Sequence, residues 1–198
     1  KLFKNANTLL SKGDFLGAEK DYLELIEKSS NHSIKTDSYL NLGHIYMSLW
    51  LQTYNQEYLD KSIDFSRKAL EFNPDGYRSR LNLAVALSKD RRTESEALKY
   101  FKEADERCDL RDPVLWGKIK LFKASLILTL TGRPDGAKYM DRLSEAELDL
   151  LEALRLFEMM KNHPEVPWLY DEAKTSLNLL KNRNETLFAN QRIHEDAR

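Results

Sequence analysis

The sequence contains a single cysteine, Cys108, among its 198 residues. One thiol excludes an internal disulfide framework and any zinc site built from several thiolates. A lone thiol also fits a reducing compartment, so we expect a cytoplasmic protein. The chain begins at Lys1 with no signal peptide, and we expect it to be a piece excised from a longer protein.

Neither sign of charge is in excess, since 31 lysines and arginines face 32 aspartates and glutamates. A balanced chain has no broad electrostatic field to attract nucleic acid or an anionic membrane. Long hydrophobic runs are also missing. The apolar stretch LILTLTG, which begins at Leu126, is far shorter than the ~18 residues of a membrane-spanning helix. We therefore expect neither nucleic-acid binding nor membrane insertion.

Motifs for catalysis and for metal binding are missing as well. The four histidines are scattered, and none belongs to an H-E-x-x-H motif or has a carboxylate or cysteine at ligand spacing. There is no G-x-S-x-G motif, no glycine-rich phosphate loop and no dinucleotide fingerprint. The carboxylates of SEAELDLLEAL (144–154) form a run that is typical of a solvated helix face. We expect no enzyme, no catalytic residue, no cofactor and no metal. The histidines are His32, His44, His163 and His194.

Glycine and proline are scarce, with seven and five residues, and they separate stretches whose apolar residues recur every three to four positions. This pattern predicts an all-α protein. Asp112 before Pro113 predicts a capped helix start, and Ser144 with Glu147 has the spacing of a capping box. The segment 133–143 is compatible with a short helix or a loop. The predicted helices cover 2–11, 14–29, 35–51, 57–72, 77–89, 94–108, 113–131, 144–162 and 167–190.

Small residues recur in register along these helices. Gly43 lies inside a predicted helix, where glycine costs about 1 kcal/mol relative to alanine. Two antiparallel helices approach closely only where the facing side chains are small, and the closer packing offsets that cost. We therefore predict a helix crossing at Gly43. One column contains Ala6, Gly43, Ala84 and Ser125, and a second contains Ala18, Ser62, Ala97 and Ala137.

These columns lie in segments that resemble tetratricopeptide repeats. The resemblance is carried by ANTLLSKGDFLGAEKDY, by NLGHIYMSL followed by SIDFSRKALEFNP, and by NLAVALSKD followed by EALKYFKEA. It implies one domain over 1–198, a right-handed α-solenoid of antiparallel helix pairs with about four repeats and a C-terminal capping helix. About seven extra residues near LQTYNQE would lengthen both helices of the second pair by about one turn. The implied segments are 1–32, 35–75, 77–110, a degenerate fourth repeat at 112–142, and a degenerate repeat with a cap at 144–198.

The resemblance also implies where a partner binds, because in this family the first helix of each pair lines a concave groove. Asn41 and Asn82 occupy the same place in successive repeats. A primary amide both donates and accepts hydrogen bonds, so it can bind the backbone of an extended peptide whatever its side chains. We expect a protein-interaction scaffold that binds a peptide or helix of a protein partner. The predicted groove residues are Asn7, Asn41, His44, Arg78, Asn82 and Lys123.

Two alternative functions stay open. A co-chaperone that grips acidic chaperone tails would need a clamp of asparagines and cations. Asn7, Asn41 and Arg78 match that clamp, whereas Phe3 and Asn82 stand where it needs a lysine and an arginine. The second alternative is a regulatory or targeting domain of a larger multidomain enzyme, in contact with other domains of that chain.

The segment 51–57 is an alternative binding surface. We predict it to be a loop that projects from the lengthened second pair, with Trp50, Leu51 and Tyr54 available to a partner. Self-association is a further possibility.

The tryptophans at 50, 116 and 168 fall on apolar helix faces, which predicts that they belong to the core.

Overall fold

The computed structural model describes residues 1–133 and 136–196, without the side chains of 137, 138 and 186–196. Within these residues the fold is all-α, with nine α-helices, one 3-10 segment and no strand. The all-α prediction is therefore confirmed. The chain divides into two compact units, an N-terminal unit of Lys1–Arg107 and a C-terminal unit of Cys108–Arg198. No helix in the described part of the chain combines the length and the apolar character needed to cross a membrane.

The N-terminal unit consists of six helices, and the closest packing pairs α1 with α2, α3 with α4 and α5 with α6. Each helix packs against the next as far as α6, and the first helices of the pairs also touch, α1 against α3 and α3 against α5. The core between the first two pairs contains Ala6, Ala18, Tyr22, Leu42 and Ile45, all fully buried. The helices are α1 (Leu2–Ser11), α2 (Phe15–Lys28), α3 (His32–Thr53), α4 (Gln56–Phe72), α5 (Tyr77–Leu87) and α6 (Glu94–Asp105).

The helices of the second pair are longer than those of the third, in α3 by far more than the predicted turn. Helices α3 and α4 have 22 and 17 residues, against 11 and 12 in α5 and α6. The extra residues are helical, so the predicted loop at 51–57 is wrong, because only Tyr54 and Asn55 separate the two helices. Tyr54 ends α3 in the left-handed region at φ 53°, and the Asn55 side chain caps α4 by accepting from the Glu57 N–H at 3.0 Å. Leu51 and Tyr54 are exposed at this tip.

Gly43 marks the place where α3 crosses α4. A Cβ atom built there would lie 2.9 Å from Ser66 Oγ and 3.5 Å from the carbonyl oxygen of Ser62. The Ser62 hydroxyl donates to the Gly43 carbonyl at 2.9 Å, which ties the two helices together. Ala6 and Ala84, from the same column, are fully buried. The predicted crossing at Gly43 is confirmed, and a side chain larger than a methyl group there would push the helices apart.

The C-terminal unit contains α7 (Pro113–Thr131), a 3-10 segment (Gly136–Arg142), α8 (Leu143–Met159) and α9 (Val166–Asp196). Helix α8 packs against α7 and α9, and α7 also touches α9. Helix α7 approaches α8 closely at Gly117, where a Cβ atom would overlap the ring of Phe157. Ser125, the predicted small residue, is only half buried, whereas its neighbour Ala124 is fully buried. The column is therefore displaced in α7.

The local signals at helix ends had mixed outcomes. Asp112 caps α7 as predicted, since its carboxylate accepts from the Leu115 N–H at 3.3 Å. The capping box at Ser144 is wrong, because α8 already begins at Leu143 and its first turn continues directly from the 3-10 segment. That segment resolves the open interpretation of 133–143 in favour of a short helix. The Ala137 side chain and residues 134–135 lie outside the described residues.

The tryptophans differ in burial. Trp50 is half buried and packs edge-on against Tyr54, with ring centroids 5.5 Å apart. Trp116 is half buried under the Lys120 ammonium, which lies 5.3 Å from its ring. Trp168 is 52% exposed, so its predicted place in the core is wrong. It lies one residue before Leu169, which is fully buried.

Candidate functional site

Two predicted groove residues meet at the hydroxyl of a buried tyrosine. The Tyr22 hydroxyl of α2 donates to Asn7 Oδ1 of α1 at 2.6 Å. It also accepts from Asn41 Nδ2 of α3 at 3.0 Å, and the two amides lie 3.4 Å apart, Nδ2 to Oδ1. Three helices therefore hold one polar cluster, which we call the amide cluster and define as Asn7, Tyr22 and Asn41.

The core positions the amide cluster. Asn7 follows the fully buried Ala6, and Asn41 precedes the fully buried Leu42, so both amides emerge at the edge of the apolar interface. The Tyr22 ring is fully buried and meets Phe3 edge-on, with centroids 6.2 Å apart. Burial raises the pKa of the Tyr22 hydroxyl above its ordinary value, and the hydrogen bond from Asn41 opposes that shift. A buried phenol needs a polar partner, and the two amides provide it.

In each asparagine of the amide cluster, one polar group takes no part in the hydrogen bonds of the cluster. Its hydrogen bonds use the carbonyl oxygen of Asn7 and the amino group of Asn41. They do not use the amino group of Asn7 or the carbonyl oxygen of Asn41. A fixed donor and a fixed acceptor on neighbouring helices match the alternating C=O and N–H groups of an extended peptide.

Helix α5 brings a charged group to the same side of α3. Arg78 at the start of α5 acts electrostatically on Asp37 of α3, which lies one turn before Asn41. Desolvation raises the pKa of the Asp37 carboxyl, and Arg78 counteracts that shift. Asn82 lies one turn after Arg78 and is half buried, and His44 on α3 is exposed. Five of the six predicted groove residues therefore lie on α1, α3 and α5.

The sixth predicted residue, Lys123, does not line a groove. Its side chain is 5% exposed, and its ammonium lies 2.9 Å from Asp149 Oδ2 and 3.2 Å from Glu145 Oε1 of α8. Lys120 also reaches Asp149, at 3.4 Å. The assignment to the groove is wrong because α7 turns this lysine towards α8, where carboxylates neutralise it.

The interpretation of SEAELDLLEAL as a solvated helix face is likewise wrong in part. Asp149 is 6% exposed and belongs to the buried ion pair, whereas Glu145 is exposed. Cys108 is a buried thiol whose Sγ lies 3.9 Å from the Asp112 carbonyl oxygen. Among the described side chains, no three histidine, cysteine, aspartate or glutamate residues cluster so as to hold a metal ion.

Comparisons with known proteins show the fold and no more. The sequence matches no protein-family model, and no curated protein matches it significantly. In structure the chain is similar to BtubC (BKLC) from P. vanneervenii, with a TM-score of 0.52 and 16% sequence identity. The match covers 92% of this chain and 78% of BtubC. At this identity the likeness extends to the helical fold, and the tetratricopeptide resemblance stays a prediction.

Removing one hydroxyl tests the amide cluster. We expect Tyr22→Phe to lower the free energy of unfolding by about 1 kcal/mol, because two hydrogen bonds are lost while both amides can turn to water. Urea unfolding followed by circular dichroism measures the difference. Tyr54→Phe is the matched control, since Tyr54 is 75% exposed and its hydroxyl should contribute little. An equal loss in both variants would contradict the role of the cluster.

Proposed function

We propose that this chain is a protein-interaction scaffold that binds an extended segment of a partner protein along α1, α3 and α5. In this proposal the three helix pairs of the N-terminal unit are successive repeats of a right-handed solenoid of the tetratricopeptide type. In the C-terminal unit, 112–142 with α7 is the degenerate fourth repeat, and 144–198 is a degenerate repeat with a cap. The chain itself catalyses no reaction.

The amide cluster is the observation that carries this proposal. Asn7 and Asn41 project from the first helices of successive pairs, and a buried hydroxyl fixes the orientation of both. A fixed amide loses little side-chain entropy when it binds a peptide backbone, so each hydrogen bond contributes more to affinity. Asn82 occupies the equivalent position on α5 and would supply the next contact.

The packing order of the N-terminal unit supports the repeat arrangement. Contacts of α1 with α3 and of α3 with α5 are those expected when hairpins stack with their first helices on one side. Ala6, Gly43 and Ala84 are buried at equivalent positions of those helices. The proposal of a common surface on α1, α3 and α5 follows from this recurrence.

The chaperone-tail alternative has less support. Phe3, which stands where the clamp needs a lysine, is partly buried and packs edge-on against Tyr22. Charge-assisted hydrogen bonds to a terminal carboxylate are worth about 1.5 to 3 kcal/mol each, and this position offers none. A regulatory role beside a catalytic domain would use the same surface, with the bound segment coming from the parent chain.

Selection from a library of random peptides, displayed on phage, tests the proposed groove. We expect wild-type protein to select peptides whose affinity falls about thirty-fold in the variant Asn41→Ala/Asn82→Ala, at about 1 kcal/mol per lost hydrogen bond. Isothermal titration with the selected peptide measures the change. Asn178→Ala is the control, since it removes an exposed helical asparagine from the C-terminal unit.

The chemistry of the selected peptide provides a second readout. If the amides bind its backbone, N-methylation at the contacted residues should abolish binding, whereas alanine substitution of the same side chains should weaken it less. Unchanged affinity in the Asn41→Ala/Asn82→Ala variant would exclude the groove and direct attention to the exposed tip at Leu51 and Tyr54.

A further inference from the structure

Helix α8 carries large apolar residues on two opposite faces. Its buried face packs into the C-terminal unit through residues such as Leu150 and Phe157, both fully buried. On the opposite face Leu148, Leu151 and Met159 are 68%, 47% and 56% exposed. A helix at the surface of a domain normally has charged and polar residues on that face.

The exposed apolar residues form one stripe. Leu148, Leu151, Arg155 and Met159 follow the spacing 3, 4 and 4, which keeps them on one side of the helix over about 16 Å. Arg155 lies in the middle of the stripe. Its guanidinium pairs with Glu152 through two hydrogen bonds of 2.7 and 2.9 Å and contacts Met159 Sδ at 3.7 Å. We call these residues, with Glu152, the α8 stripe.

The α8 stripe is complementary to itself. Four of its five residues are arranged symmetrically about the midpoint between Ala153 and Leu154: Leu148 and Met159 are equally distant from it, as are Glu152 and Arg155. Leu151 has no counterpart in the α8 stripe, because the equally distant residue, Leu156, is fully buried. If two copies of α8 pack antiparallel with a two-fold axis at that midpoint, Leu148 of one copy faces Met159 of the other. Each Arg155 then faces Glu152 of the second copy, and the two ion pairs join into a network of four alternating charges.

We propose that the α8 stripe is a homodimer interface in which two copies of this chain pair through antiparallel α8 helices. An isologous contact requires one surface to match itself, and the α8 stripe does so in the Leu148 and Met159 pair and in the charges of Glu152 and Arg155. A foreign helix would need only a complementary surface and would leave this symmetry unexplained. The proposal is independent of the peptide groove, which lies in the other unit.

The dimer should be weak. One face of one helix gives a small interface compared with those of stable complexes. We therefore expect a dissociation constant on the order of tens of micromolar, with the monomer predominating in dilute solution.

Charge reversal gives the sharpest test. Sedimentation equilibrium of the full chain from about 5 to 500 µM brackets the expected dissociation constant. Glu152→Arg and Arg155→Glu should each be monomeric over most of that range, because like charges then face one another across the axis. An equimolar mixture of the two variants should recover the dimer, since the introduced arginine of one variant then faces the introduced glutamate of the other. Leu148→Glu should raise the dissociation constant at least tenfold, and Leu16→Glu, at an 81% exposed leucine of α2, should leave it unchanged.

The proposal can fail in three distinct ways. A wild-type chain that stays monomeric at the highest concentration would overturn it, and so would binding of a foreign helix to the α8 stripe of such a monomer. Dimerisation of both charge-reversal variants at wild-type strength would place the interface elsewhere. A mixture that fails to recover the dimer would exclude the antiparallel register. Because all these residues lie at the surface, circular dichroism should show the same helix content in every variant.

Discussion

Replacing Asp149 with alanine is expected to lower the free energy of unfolding of the C-terminal unit by about 3 kcal/mol. Asp149 is 6% exposed on α8, and its carboxylate lies 2.9 Å from Lys123 and 3.4 Å from Lys120 of α7. Removing it leaves the ammonium of Lys123 buried beside a smaller, apolar side chain. Charged groups that are removed from water and lose their counter-charge destabilise the folded state strongly. Glu145 at 3.2 Å is half exposed, so it compensates only in part.

Guanidinium-induced unfolding, followed by circular dichroism, measures this loss, and two variants of the same helices control for it. Glu158→Ala removes an exposed carboxylate of α8 and should change stability by less than about 0.5 kcal/mol. The double variant Lys123→Met/Asp149→Leu replaces the ion pair with apolar residues and should recover most of the stability of the wild type. A loss below about 1 kcal/mol in Asp149→Ala would show that the ion pair is solvated and not buried.

The buried ion pair is a contact between two helices, and the spacing of residues within each helix does not predict it. Lys120 and Lys123 are three residues apart on α7, and Glu145 and Asp149 are four apart on α8, so each pair lies on one helix face. These spacings were visible in the sequence. The lysines and carboxylates form ion pairs only if the lysine face of α7 packs against the carboxylate face of α8. The sequence of either helix alone does not determine which of its faces meets the other helix.

The face of α7 that packs against α8 is hard to predict because this helix is buried on several sides. Leu121, Leu126, Ile127 and Leu130 are all buried, and together they surround most of the helix. A helix with apolar residues all round has no single stripe to reveal the face of the crossing. In α3 the small residue Gly43 itself marks the crossing, and Ala6 and Ala84 of the same predicted column are fully buried. In α7 the small residue Gly117 lies two turns before the predicted Ser125.

The amide cluster was predicted from the sequence only in part. Asn7 and Asn41 were predicted from their places in the repeats, and the structure brings them together. Tyr22 gives no such signal, because burial patterns report the ring of a tyrosine and not its hydroxyl. A tyrosine one turn after the small residue of the second column, with asparagines beside the first column, is the signal that could have predicted its role.

We expect Gly117→Leu to lower the free energy of unfolding by about 3 kcal/mol, at the upper end of the usual cost of overpacking. A Cβ atom alone at Gly117 would overlap the Phe157 ring, which is fully buried. Leucine is a good helix former, so the loss reports packing and not helix propensity. Thr129→Leu places the same side chain at an exposed position of α7 and should change stability by less than about 0.5 kcal/mol.

A double-mutant cycle with Phe157→Ala identifies the clash. Phe157→Ala alone should cost about 3 to 5 kcal/mol, because it leaves a cavity beside Gly117. Leucine at 117 can fill that cavity, so Gly117→Leu/Phe157→Ala should be more stable than the sum of the two losses predicts, by at least about 1 kcal/mol. Strict additivity would mean that α7 and α8 separate to accommodate the leucine, and that contact between the helix backbones, not the ring, determines the size of residue 117. Gly43→Ala provides the comparison in the other unit, because Ser66 Oγ at 2.9 Å can rotate away and the gain in helix propensity of about 1 kcal/mol offsets the crowding.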